Sequence, residues 1–165
     1  MIMKTRLPLV PLALLVLALG GCATRSPYGN FVNPPVAVDQ APLAGEAARQ
    51  LAALWPPART RFALQQPTPD AFGAALVGAL RTAGFAVLEL GPEKASAAAS
   101  EQTTVDPAQG QVPSPAALPL RYVLDHDPDT GLYRLTLWVG TQSLTRPYRA
   151  QDRTLIAAGY WVRKQ

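Results

Sequence analysis

The chain is poor in the side chains that most often carry chemistry. It has a single cysteine, Cys22, so no disulfide can close within it and stability has to come from packing. A single histidine, His126, leaves little from which to build a nucleophile–base pair or a histidine metal site. Aromatic residues make up 7% of the chain and charged ones 16%, while prolines number 17, a balance that suits a modest core set among extended connections. A run of about 20 apolar residues, the length that a bilayer-crossing helix needs, is missing.

The N-terminus carries a shorter apolar run. Lys4 and Arg6 precede it, and from Leu7 to Leu19 every residue is apolar apart from Pro8 and Pro11, the order and length of a secretory signal. The run ends Leu19-Gly20-Gly21-Cys22. Small residues before a cysteine resemble the lipobox of bacterial lipoproteins, in which the thiol takes a diacylglyceryl group and the freed amine is acylated after cleavage. Two or more acyl chains anchor a protein stably where one gives marginal binding. Residues 1–21 are therefore expected to be cleaved and Cys22 to be lipidated. Ala23 stands where inner-membrane retention would place aspartate, and the lipoprotein rule then implies the outer membrane, with the domain in the periplasm.

The 165 residues less these 21 leave 144, room for one domain. With 15 basic and 11 acidic side chains in the whole chain, setting aside Lys4 and Arg6 leaves a net charge of only +2, so the basic balance of the whole chain overstates the case for a polyanion partner. Residues 22–40 contain Pro27, Pro34, Pro35 and Gly29 with no helical period and are expected to form an extended tether. Residues 91–117 mix Gly, Pro, Ala, Ser and Gln with almost no large apolar group, the composition of a disordered loop.

The rest, residues 41–165 around that loop, reads as an α+β domain. Ala44, Ala47, Ala48, Leu51, Leu54 and Trp55 recur at helical spacing until Pro56-Pro57 stops the helix. Thr60 to Gln66 alternates as a strand. Thr68-Pro69-Asp70 supplies an N-cap, a proline at the first helical position and an acid in the first turn of a second helix, which carries Phe72, Leu76, Ala79, Leu80 and Ala83 on one stripe and ends at Gly84. Phe85 to Leu90 makes a short strand. Period-two patterns at 120–124, 132–139, 142–149 and 154–163, with turns at 127–131 and 140–141, imply an antiparallel meander. The expected architecture is two helices packed on one face of a mixed, mainly antiparallel sheet.

Three patterns could carry function. His126 lies between Asp125 and Asp127, and Asp125 to Gly131 resembles the start of a calcium loop, but Thr130 replaces the required glycine and Thr136 the bidentate glutamate. Turn chemistry accounts for the same residues, and neither a catalytic residue nor a metal or cofactor site is assigned. Arg146-Pro147-Tyr148-Arg149 and Tyr160 to Lys164 interleave bases with aromatics, as single-strand binders do, although a sheet with one buried face needs the same pattern. Tyr28, Phe31, Val32 and Val36 put apolar area on the tether, where a spacer would carry Ser, Gly or charge, and are assigned to partner binding.

The chain also resembles the TrbH family of conjugal transfer lipoproteins. The likeness runs through Tyr28-Gly29-Asn30-Phe31, Leu54-Trp55-Pro56-Pro57-Ala58, Asp70-Ala71-Phe72-Gly73, Leu80 to Val87, Tyr133-Arg134-Leu135 and Arg146-Pro147-Tyr148. It implies a non-catalytic structural subunit of the type IV secretion, mating-pair formation channel. TrbG- and TrbI-like subunits are the implied partners, with a homo-oligomer within the channel left open and no direct nucleic-acid binding. The alternative is an envelope lipoprotein that regulates or assembles another complex, such as a cell-wall enzyme. Because lengthening a loop costs stability only logarithmically, removing most of residues 92–117 should leave the domain folded. Its thermal midpoint should fall by less than about 10 °C in a melt of the shortened chain.

Overall fold

A computed structural model of the chain describes residues 26–32, 38–90 and 116–165. The signal peptide, Cys22, Val36 and most of the 91–117 loop lie outside them. The architecture is α+β, with two helices on one face of a mixed eight-stranded sheet. In chain order the elements are β1 (Gly29–Asn30), α1 (Ala41–Leu54), β2 (Arg61–Leu64), α2 (Ala71–Thr82), β3 (Ala86–Leu88), β4 (Leu118–Asp127), β5 (Leu132–Val139), β6 (Gln142–Gln151), β7 (Thr154–Ala157) and β8 (Val162–Lys164).

The helices form where the apolar spacing puts them. α1 buries Leu43, Ala44, Ala47, Ala48 and Leu51, and α2 buries Phe72, Gly73, Leu76, Val77 and Leu80, the same spacing in both. The start of α2 differs from the sequence reading: Asp70, not Thr68, is the N-cap, its Oδ1 accepting from the Gly73 N–H at 2.9 Å, and Pro69 precedes the helix. Gly84, at φ 90°, ends it as expected. The Phe85 N–H donates to Leu80 C=O and the Gly84 N–H to Arg81 C=O, and the buried Phe85 and Leu80 supply the apolar contact of such a cap.

The sheet runs β3-β2-β4-β5-β6-β7, with β3, β2 and β4 parallel and the rest an antiparallel meander. Phe62, Leu64, Leu120, Tyr122, Leu124, Tyr133, Leu135, Leu137, Val139 and Leu144 face the helices and form the core. Strand boundaries shift: β4 runs from Leu118 to Asp127 where 120–124 was expected, β6 extends to Gln151, β2 and β3 are shorter than expected, and the span 154–163 is broken into β7 and β8 by residues 158–161. Pro147 of β6 explains the break, because it has no N–H to offer the neighbouring strand on that side, and its carbonyl accepts only from the Ala158 N–H at 2.9 Å.

The edge of β4 facing β2 is completed by three different pieces of chain. β2 pairs with Leu118 to Leu120, and β1 pairs in parallel with Val123 and Leu124. Between them the side-chain amide of Gln66, 2% exposed, stands in for a strand residue, accepting from the Tyr122 N–H at 3.1 Å and donating to the Tyr122 C=O at 3.2 Å. A buried backbone pair left without partners costs roughly 1–3 kcal/mol for each group. Gln66→Leu should therefore destabilise the protein by about 2–5 kcal/mol. In a thermal melt the midpoint should drop by on the order of 10 °C, while Gln65→Leu next to it changes little.

Candidate interaction surface

The described part of the tether is folded onto the domain. Besides the β1 pairing, the Phe31 N–H donates to Leu124 C=O at 2.8 Å, and Val32 packs against the core. Gly29, at φ 141°, breaks the side-chain alternation and lets Tyr28 lie over the sheet face opposite the helices. There the Tyr28 ring meets Trp138 edge to face at 5.5 Å, and the Arg121 guanidinium sits 5.0 Å from its centroid. Farther on, Asn30 Nδ2 donates to Gln40 Oε1 at 2.8 Å, and the Asp39 N–H donates to Arg153 C=O in the tight β6–β7 turn. One stretch of chain thus touches β4 and β7, on opposite sides of the meander. Of the residues assigned to partner binding, Tyr28 and Val32 are spent on the chain's own domain, and Phe31 is 46% exposed.

The C-terminal segment is held by one carboxylate. Glu46 projects from the flank of the α1 stripe, and its Oε1 accepts from Arg146 Nη1 at 2.5 Å, Tyr148 Oη at 2.9 Å and Trp161 Nε1 at 3.2 Å. Arg146 Nε also donates to Gly159 C=O at 2.8 Å, so the chain that bulges past Pro147 is pulled back to the helix. The interleaved bases and aromatics at 146–149 and 160–164 therefore divide. Arg146, Tyr148 and Trp161 work inside the fold, whereas Arg149, Tyr160 and Lys164 are exposed. Composition gave no sign that Glu46 gathers them, although a lone acid beside an apolar helical stripe is the available clue.

A second carboxylate ties α2 to β4. Asp70 Oδ1 caps the helix while its Oδ2 accepts from Tyr122 Oη at 2.5 Å, and the Tyr122 ring packs edge to face on Phe72 at 5.1 Å. Gly73 makes room for this: a Cβ there would run into Tyr122 Oη and come within 2.8 Å of Thr68 Cβ. His126 stacks on Tyr133 at 4.4 Å, Asp125 pairs with Arg134 at 2.8 Å, and Asp127 accepts from the Asp129 N–H and Thr130 Oγ1 of its own turn. Those bonds hold the Asp127 carboxyl below its ordinary value, the Thr130 hydroxyl contributing most.

On the sheet face opposite the helices, register places Arg121, Trp138, Ser143 and Lys164 in one row and Val123, Thr136, Thr145 and Val162 in the next. Fold and surface together define a small α+β layer protein in which the described N-terminal residues and the C-terminal segment dock on one mixed sheet, whose other face, with Arg121, Trp138 and Lys164, has no helix over it among the described residues. Its family is that of the conjugal transfer protein TrbH, which matches residues 25–165, and the chain belongs to it. No curated protein and no solved structure matches significantly. Among the described residues, no helix is long and apolar enough to cross a membrane.

Burial, then the neighbouring carboxylates, pushes the hydroxyls of both Tyr122 and Tyr148 well above the ordinary tyrosine value of about 10. The folded state keeps these protons where the unfolded chain releases them. The stability they confer is thus complete below pH about 10 and is lost as the pH rises above it. Melts from pH 8 to 11 should show that loss, and the Tyr122→Phe, Tyr148→Phe double variant, though less stable at pH 8, should lose markedly less over the same interval.

Proposed function

We propose that this conjugal transfer protein is a lipid-anchored structural subunit of the type IV secretion, mating-pair formation channel, acting without chemistry of its own. The observation that carries the reading is membership of the TrbH family over residues 25–165, a match that begins just past the lipobox cysteine. Acyl chains on Cys22 would hold the chain at the periplasmic side of the outer membrane, and two or more of them suffice for stable attachment. The partners are other channel subunits, of the TrbG and TrbI kind.

The exposure of the N-terminal residues supports one point of contact with such a subunit. Tyr28 and Val32 are engaged by the domain, so Phe31, half exposed at the end of β1, is the aromatic that the N-terminal segment offers to another protein. β1 holds it in place and spares part of the ordering entropy that a free peptide would lose on docking.

Plasmid transfer in a deletion strain complemented with variants tests this. Cys22→Ser should lose fatty-acid label and transfer, whereas Phe31→Ser should keep the label and the fold but lose transfer and co-purification with the outer-membrane subunit. Wild-type transfer by unlabelled Cys22→Ser would refute the anchored role, and wild-type transfer by Phe31→Ser would move the contact elsewhere on the domain.

A further inference from the structure

We infer that the sheet face opposite the helices lies against the surface of an anionic phospholipid membrane. Three independent observations converge on this face. The first is charge: Arg121, Arg134, Arg149 and Lys164 share it by register with a single mid-strand acid, Asp125, whose carboxylate is already paired to Arg134. The chain is nearly neutral once the signal is set aside, so this is a local excess on one side of the molecule. Each base held near an anionic bilayer strengthens binding about fivefold.

The second is the aromatic pair. Trp138 and Tyr28 stand together beside Arg121, in the row that ends at Lys164, half-buried and without a helix over them among the described residues. Trp and Tyr are the residues that settle at the level of the lipid headgroups, where an amphipathic ring meets both water and hydrocarbon. On a soluble face, alternation would call for Thr or Ser at position 138, as it has at Thr136 and Ser143 beside it.

The third is where the N-terminal segment meets this face. Tyr28 lies on it, beside Trp138 and Arg121, six positions after Cys22. Fully extended, six residues span at most about 20 Å. An anchor at Cys22 therefore keeps this face near the bilayer and leaves the helical layer pointing away. The inference rests on Cys22 as the attachment point. It adds an orientation: sheet toward lipid, helices toward the channel.

The test separates that orientation from acylation in the cell. The chain from Cys22 on is coupled through its single thiol to a maleimide phosphatidylethanolamine in vesicles of phosphatidylethanolamine and phosphatidylglycerol, with brominated acyl chains as quencher. Tryptophan fluorescence should be quenched in the parent and in Trp55→Phe, and the quenching should disappear in Trp138→Phe. Quenching that survives Trp138→Phe, or no quenching in the parent, overturns the orientation whatever the cell does to Cys22. In the unlipidated Cys22→Ser chain, Arg149→Gln and Lys164→Gln, both at exposed positions, should each weaken partition to these vesicles about fivefold without changing the melt. Unchanged partition overturns the inference. So does displacement of the Cys22→Ser chain from vesicles by a short oligothymidine, which would make the face a single-strand binding surface instead.

Discussion

The edge of β4 at Tyr122 has to find hydrogen-bond partners in the core, and among the described residues no strand reaches that point. Gln66 fills it with a side-chain amide, which works because an amide carries one donor and one acceptor in nearly the geometry of a peptide group. The same tyrosine sends its ring against Phe72 and its hydroxyl to the carboxylate that caps α2. A single residue therefore joins the β2 edge, the second helix and the meander. Gly73 is the small residue that such convergence requires, since any side chain there would displace the hydroxyl.

Glu46 plays the matching part on the other side of the sheet. A carboxylate a quarter exposed and sharing one oxygen among a guanidinium, a phenol and an indole is held by charge-assisted bonds, which are about twice as strong as neutral ones. Pro147 interrupts the edge of β6, and Glu46 helps to draw the chain that bulges around it back toward the pairing of β8 with β6. Both outer edges of the meander are thus tiled by two short strands with a side-chain device at the gap. The devices differ because the gaps differ. At β4 an unpaired backbone must be satisfied, whereas at β6 a detour must be drawn back.

These arrangements give the two faces separate work. The helical face is consumed by the core. The sheet face carries bases, Trp138 and Tyr28 of the N-terminal segment. Phe31, at the end of β1, keeps its apolar area half exposed.

Much of this was legible from residues alone. Helical stripes, alternating strands, the Gly84 cap and the turns depend on local chemistry, and each lies in place. The family was also readable, because its marks are short local runs such as Leu54 to Ala58 and Asp70 to Gly73, which keep their meaning without a fold. What local pattern could not decide was pairing between distant residues. A two-residue strand such as β1 has no periodicity to detect, and the fate of Tyr28 depended on Trp138 and Arg121 about a hundred positions away. Gln66 and Glu46 look like ordinary polar residues until the sheet brings Tyr122, Arg146, Tyr148 and Trp161 to them. Local pattern was enough for the longer elements and for the family. Tertiary structure decided which polar groups are consumed in holding the fold and which remain on its surface, because a hydrogen bond between residues 46 and 161 exists only once the whole chain has closed around it.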